Sequence, residues 1–577
     1  MSTETVDVAN QRNSNANMAD KKTLTKTTHL SLSNMTKIEN KLNYFEENLE
    51  KSRVCLDCTE KRLADTDQNS NDLEITENGR RTNTDIQEFY NGKSILVTGA
   101  TGFLGKVLVE KLLRCCPDVE NIYLLVRQKK GKDIYTRIDD IFDDPVFERL
   151  KREAPKFRHK IVAIPGDCGA AGLGLTLNDR QTLTEKVNII FHSAATVKFV
   201  EHLRTALVTN VCAPLHMLRL VRDMKGLDVL MHISTAYSNC HLSQVRERFY
   251  PCSVDCDQLS GLVDKFTDSE IDSLLPTILG SWPNTYTLTK AVAEKELRDD
   301  CGGVPLGIFR PAIVTSTAQE PIPCWIDNMY GLRGVVVGAA TGVLRTLLCD
   351  KEVTAEIVPV DMVVNCLLAS ARDVHLSYKQ SPPPAEPPIF NYVSSVEQRI
   401  TWGGFMEHNV EQIGWSPLNS AIWYFCLTLN TSPLVNTLYE VFLHLVPAVL
   451  IDGLALCVGQ SPKMLKLYRK IRKFSSVLSY FSTKEIKFCN KRTRELWERT
   501  SEDDKQLFPF SMAQMDWSKY FQGYILGIRK YIFKEEDDSL PQAKRKWTRL
   551  YYFHQIVRVI FILFAVYLVW HIFSSVF

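Results

Sequence analysis

Short apolar runs, each followed by a helical pattern, constrain this chain more than any other feature. Ser94-Ile95-Leu96-Val97-Thr98 is the first, and runs at 122–126, 161–164, 187–191, 229–233 and 307–309 repeat it. A strand that is apolar throughout has no face for water, so such runs alternating with helices specify a parallel sheet covered on both sides. The predicted fold class is α/β, a doubly wound Rossmann-type parallel sheet that occupies roughly residues 90–320 of a nucleotide-binding domain at 89–390.

The rest of the chain divides by composition. Its 577 residues exceed what one core ordinarily holds, so more than one folded unit is expected. Residues 1–88 carry few large apolar side chains and are expected to be mostly disordered, with a short helix at 42–49. The first 20 residues contain no apolar stretch, so no secretory signal is read there. Sixteen cysteines are scattered singly, as reduced thiols of a cytosol-facing protein would be. Cys55 and Cys58 make one C-x-x-C with no second pair at finger spacing, so no metal is expected. A net charge of +2 gives no basis for nucleic-acid binding.

A proline-rich loop at 381–388 is followed by a connecting, substrate-side segment (391–433) and then by 434–535, read as a second, smaller helical domain. Residues 536–577 form a basic flank and membrane anchor. The last 19 residues, 559–577, are almost wholly apolar. At helical rise they reach about 28 Å, enough for a transmembrane helix in a lipid bilayer. Lys544, Arg545, Lys546, Arg549 and Arg558, with Trp547, Tyr551 and Tyr552, place the preceding domain on the cytosolic side. Residues 434–458 are also apolar, but Glu440, His444 and Asp452 interrupt them, so a buried or interfacial helix is expected.

Thr98-Gly99-Ala100-Thr101-Gly102-Phe103-Leu104-Gly105 lies between the first strand and a helix. Gly99 permits the tight turn, Gly102 the approach of a pyrophosphate, and Gly105 close helix–strand packing. The free N–H groups of the helix start face the phosphates. A glycine triplet alone is weak, but here strand and helix flank it. After the second strand, Arg127 and nearby lysines replace the acidic residue that binds a ribose 2′-hydroxyl. A basic side chain suits a 2′-phosphate, so the expected cofactor is NADPH. Asp167 follows the third strand, where it could meet the adenine edge. Ala194 and Ala195 follow the fourth, where small side chains let a cofactor lie close. Pro311 and Val314 follow the sixth and would wall the nicotinamide.

Tyr286 and Lys290 are spaced i, i+4 on one helix face. An ammonium beside a phenol is expected to lower its pKa and make it a usable proton donor. Tyr-x-x-x-Lys is common by chance; its place downstream of strand five, in a chain that carries the glycine turn, is what gives it meaning. Thr235, with Ser234 as the alternative, stands at the end of strand five and could bond a substrate carbonyl.

These residues identify a resemblance to extended short-chain dehydrogenases/reductases, and within them to the fatty acyl-CoA reductases, over about 90–535. It is carried by the cofactor turn, 114–119 with 122–127, Gly166-Asp167-Cys168, Phe191-His192-Ser193-Ala194-Ala195-Thr196-Val197-Lys198-Phe199, Tyr286-Thr287-Leu288-Thr289-Lys290-Ala291, Trp325-Ile326-Asp327-Asn328 and 358–365. Residues 434–530 look like the family's male-sterility-type C-terminal domain. Cys324, where glycine is expected, Gly338-Ala339-Ala340-Thr341-Gly342 and Ala355-Glu356 depart from its pattern. The resemblance implies reduction of a long-chain acyl-CoA by NADPH to a primary alcohol through an aldehyde. Another lipid such as a sterol is the alternative substrate, and a non-catalytic NADPH-binding scaffold is the alternative class. A homo-oligomer is left open. For location, the chain ending Ser575-Val576-Phe577 favours the endoplasmic reticulum over the peroxisome.

Overall fold

The computed structural model describes residues 83–128 and 131–576. The apolar runs become β1 (Ser94–Thr98), β2 (Asn121–Val126), β3 (Ile161–Pro165), β4 (Ile189–His192), β5 (Val229–Ile233) and β6 (Leu306–Pro311), joined by β7 (Ile389–Tyr392). Their order is β7-β6-β5-β4-β1-β2-β3, and every neighbouring pair is parallel. Every residue of β1, β4, β5, β6 and β7 is buried. Full burial on both faces is why these strands read as continuous apolar runs rather than as alternating patterns. The strand order reverses direction between β1 and β4, and ligands of such sheets bind in the crevice at that point, beyond the strands' C-terminal ends.

Seven helices matter for the site: α1 (Asp85–Tyr90), α2 (Phe103–Cys115), α3 (Thr285–Asp300), α4 (Trp402–Trp415), α5 (Pro433–Cys457), α6 (Met464–Thr483) and α7 (Leu540–Val576). α1 straddles the end of the stretch read as mostly disordered (1–88) and opens the ordered body. Thr84 and Gln87 cap it reciprocally, Ile86 and Tyr90 are buried, and the Tyr90 hydroxyl donates to the Leu368 carbonyl at 2.9 Å. The expectations for 42–49 and for Cys55 and Cys58 lie outside the described residues.

The helical segment expected at 434–535 is packed into the same body as the sheet. Thr84–Phe577 forms one unit. Phe508, Phe510, Tyr520 and Tyr524 share a core with Val97, Phe309 and Tyr392, and the Tyr392 hydroxyl donates to the Phe510 carbonyl at 2.8 Å. The segment from Phe508 to Tyr524 buries its aromatic side chains against the reductase body. Cys324 belongs to this seam. Its φ of +60° is the conformation glycine adopts without strain, which accounts for the expected glycine there. A Cβ on Gly527 would lie 2.1 Å from the Cys324 carbonyl oxygen, so the seam admits no side chain at that position.

α7 leaves the body bare: none of its apolar stretch is buried, and it is long and apolar enough to cross a membrane. Its base is rooted by aromatic contacts. The Trp423 indole donates to His554 at 3.0 Å, and Tyr424 packs on Trp547 and Tyr551 with ring centroids 4.7 and 5.2 Å apart.

One buried ion pair holds α3 on the sheet. Arg310 at the end of β6 grips Glu294 of α3 through Nε at 2.9 Å and Nη2 at 2.5 Å, with both side chains almost wholly out of water. Ser234, just past β5, donates its hydroxyl to the same carboxylate. Breaking a buried pair from one side strands the other charge. Glu294→Ala is therefore expected to destabilise the chain by about 3–5 kcal/mol, read as a lower unfolding midpoint in detergent, while Ser234→Ala does less. Equal midpoints for Glu294→Ala and the wild type would refute this role.

Candidate active site

The crevice over β1 and β4 opens into a cavity of about 950 Å³. Gly99, Thr101, Gly102, Phe103, Leu104, Gly105, Arg127, Asp167, Ala194, Ala195, Ser234, Thr235, Tyr286, Lys290, Pro311 and Val314 all line it. Thr98 alone of the expected residues does not. It lies beneath the floor, where its hydroxyl accepts the Ala194 N–H at 3.1 Å and contacts His192 Nδ1 at 3.0 Å. Thr98 thus fixes the spacing of the two loops that form the crevice.

The glycines are required by close approach. Gly99 has φ +76°, and a Cβ there would meet Ala194 N at 2.9 Å; one on Gly105 would lie 2.3 Å from the Gly99 carbonyl oxygen. The turn that results leaves Thr101 and Gly102 exposed at the start of α2, where free N–H groups can receive a pyrophosphate. Arg127 is exposed after β2, 3.7 Å from Asp167. Arg137 stands beside it, donating to the Arg127 carbonyl. These two guanidiniums form a basic rim at one end of the crevice. Sequence reasoning missed Arg137, because it lies on a polar helix with no motif of its own.

At the other end, α3 presents its first turns to the crevice. Asn284 caps it by accepting the Thr287 N–H at 2.9 Å. Thr235 accepts the Tyr237 N–H at 3.2 Å and stands close enough to the Tyr286 phenol to draw its pKa down. Lys290 is buried and donates to the Ile233 carbonyl at 2.7 Å. Asn210 braces the floor: it accepts the Thr196 N–H at 2.9 Å and donates to Thr289 Oγ1 at 3.1 Å. Thr235 and Ser234 stand as alternatives in the sequence, and the geometry separates them. The Ser234 hydroxyl is committed to Glu294, whereas Thr235 faces the phenol.

The electrostatics differ from the expectation of a phenol brought towards neutrality. Burial pushes Tyr286 up to about 12, against a downward pull from Thr235. Burial also brings Lys290 down to about 8, opposed by the Glu294 carboxylate. The phenol is a proton donor over the whole working range, and the lysine is the group whose charge changes near neutrality. Below them His192 and His232 are buried; burial first and the Lys290 charge second hold His192 down to about 3 and His232 well below its ordinary range. Both imidazoles are neutral.

The remaining wall is chemically divided. Leu347, Leu429, Trp402, Phe405, Met406 and Leu478 make it apolar, while Lys198, Lys470 and Lys473 add cations. Phe481 of α6 packs on Phe199, which packs on Tyr286, with centroids 5.6 and 5.8 Å apart. Lys198 and Phe199 sit within the quoted 191–199 motif. The contributions of α4 and α6 come from far along the chain and carried no local signal.

Two family models described as male sterility protein match residues 97–367 and 443–535. The chain is 40% identical over 476 residues to the fatty acyl-CoA reductase wat of Drosophila melanogaster, covering 82% of this chain and 91% of the relative. It is 36% identical to fatty acyl-CoA reductase 1 of Homo sapiens, covering 85% and 93%. Among solved structures it resembles the reductase domain of a nonribosomal peptide synthetase from Mycobacterium tuberculosis, with a TM-score of 0.51 at 18% identity over 76% of this chain and 91% of that one, a likeness of fold. With the Tyr286–Thr235–Lys290 group at the mouth of a nucleotide crevice and this similarity over most of its length, the chain belongs to the fatty acyl-CoA reductase family.

Proposed function

We propose that this protein reduces long-chain acyl-CoA to a primary alcohol with NADPH, releasing CoA, from the cytosolic face of a membrane. The observation that carries the reading is the convergence, in one cavity, of a glycine turn, a basic rim, the Thr235–Tyr286–Lys290 group and a wall of large apolar side chains.

Gly99 and Gly105 leave the turn free of side-chain atoms, and Arg127 and Arg137 offer charge to a 2′-phosphate, so these residues fit NADPH. Two NADPH molecules, bound in turn, would each supply one hydride, the first to the thioester carbonyl and the second to the aldehyde. Tyr286 donates a hydrogen bond to the carbonyl oxygen as negative charge grows there, and Thr235 holds the phenol in place. Such preorganised donors are worth roughly 3–4 kcal/mol each. Lys290 places positive charge behind the phenol and supports the developing anion. Collapse of the first adduct breaks the carbon–sulfur bond and expels CoA as its thiolate, which takes a proton from water. In the second reduction Tyr286 gives its proton to the alkoxide. Lys198, Lys470 and Lys473 suit the phosphates of CoA, and the Trp402–Phe405–Met406 wall suits the acyl chain. The exposed apolar length of α7, with its basic, aromatic base, supports attachment to a membrane.

Tyr286→Phe is expected to cut alcohol formation by roughly 10²–10⁴-fold, while NADPH fluorescence titrations stay unchanged; surviving turnover would remove the tyrosine from this role. Arg127→Ala is expected to raise the KM for NADPH by about 10-fold or more, the loss of one charge-assisted hydrogen bond, and to leave NADH use unaffected. A parallel loss with both cofactors would place Arg127 away from the 2′-phosphate. Because Lys290 is brought down to about 8, kcat/KM is expected to fall as pH rises past that value and the ammonium is lost. Lys290→Arg should shift that fall to higher pH, and a flat profile to pH 10 would show that the charge is not used.

A further inference from the structure

α5 is patterned inside out. Its buried residues are Asn436, His444, Ala448 and Asp452, and Glu440 between them is half-buried. They recur every fourth residue and form one stripe along the helix. A π turn at Val441–Leu445 lies mid-helix and helps keep this row on one side. The stripe faces the body and every polar member is engaged there. Asn436 accepts from Thr346 Oγ1 at 2.8 Å and donates to Glu440 at 2.9 Å. His444 Nε2 accepts the Arg345 N–H at 2.9 Å, and its ring stacks on Tyr468. Asp452 accepts the N–H groups of Lys463, Met464 and Leu465 at 2.9 Å each, capping the start of α6.

The outward side is apolar. Leu434, Leu438, Phe442, Leu450, Leu454 and Leu456 are each more than half exposed. A helix facing water arranges these two sides the other way round. An apolar surface of this length is a binding surface. α5 cannot cross a membrane in the usual way, because its polar stripe is fastened to the body from Asn436 to Asp452, about 24 Å at helical rise.

We propose that α5 lies along the plane of the membrane with its outward side in the hydrocarbon of one leaflet, a second lipid contact beside the α7 anchor. Two further features favour a bilayer over a protein partner. Lys463, just before α6, and Lys466 and Arg469 on it stand exposed next to α5 and outside the cavity lining, where they suit lipid phosphates, while Arg472 pairs with Glu440 at 3.5 Å. The surface is also continuous with the anchor. Arg345 donates to both His444 and the Leu443 carbonyl, and its guanidinium lies 4.8 Å from the Trp423 ring, which is part of the cluster that roots α7. α6, which packs on α5, carries Lys470, Lys473 and Phe474 into the cavity, so lipid contact sets one cavity wall at the bilayer surface. This inference rests on the patterning of α5 and not on the proposed reaction.

The test uses the full chain in sealed phosphatidylcholine–phosphatidylserine vesicles containing a phosphatidylcholine with a diazirine on its acyl chain. After photolysis, mass spectrometry is expected to find lipid adducts on Leu438, Phe442, Leu450 and Leu454 as well as on α7, with none on Asn436, His444 or Asp452. Leu450→Glu/Leu454→Glu should lose at least ten-fold of the α5 adducts and keep those on α7. A membrane-impermeant amine reagent added outside should label Lys463. Adducts confined to α7, cross-links joining α5 of two copies without lipid adducts, or Lys463 reached only from inside the vesicle would each overturn the proposal.

Discussion

The position of the catalytic helix depends on one desolvated contact, the two-pronged grip of Arg310 on Glu294. It joins the end of β6 to α3 and, through the Ser234 hydroxyl, draws in the end of β5. Tyr286 and Lys290 stand on the same helix, about two turns and one turn before Glu294. The phenol's distance from the β5 loop is therefore set by an ion pair beneath it that faces no solvent and is weakly screened by salt. The same carboxylate opposes the desolvation of Lys290, so it supplies both placement and charge balance.

A comparable logic holds on the cofactor side. Thr98 ties the β1 loop to Ala194, and Asn210 ties the next residues to Thr289 of α3. The crevice is thus closed on itself by short polar links whose members are buried, while the surfaces facing the cavity are left to glycine backbone, alanine and the reacting hydroxyls. Beyond it, the helical segment supplies the wall that distinguishes a lipid site from a bare nucleotide fold. Phe481, Phe405 and Leu478 reach the cavity because their helices are packed into the reductase body rather than folded apart.

The parallel sheet was legible because burial on both faces leaves an unmistakable trace in Leu96, Val97, Leu124 and Leu125. So was the glycine turn, whose spacing is dictated by backbone contact. Other features left no such trace. β7 contains Asn391 in an otherwise apolar strand and follows a proline-rich loop. α1 is short and polar on its outer side, and Ile86 and Tyr90 are its buried apolar anchors. Arg137 and the α6 side chains act at the site through long-range folding, which no local spacing encodes. The pKa of Tyr286 went against the pairing argument because burial raises it and the nearby Glu294 carboxylate raises it further. The polar interruptions of 434–458 were visible, but the side of the helix they occupy became apparent only in three dimensions.

In the proposed reaction hydride adds twice to one carbonyl carbon while the Tyr286 phenol serves the oxygen of that carbonyl. NADPH deuterated at its transferable C4 position, incubated with palmitoyl-CoA and the full chain, tests this directly. The account predicts hexadecanol carrying two deuterium atoms on C1, with one CoA thiol freed for each alcohol formed. Alcohol or aldehyde without deuterium at C1, or cofactor oxidation with no CoA released, would contradict it.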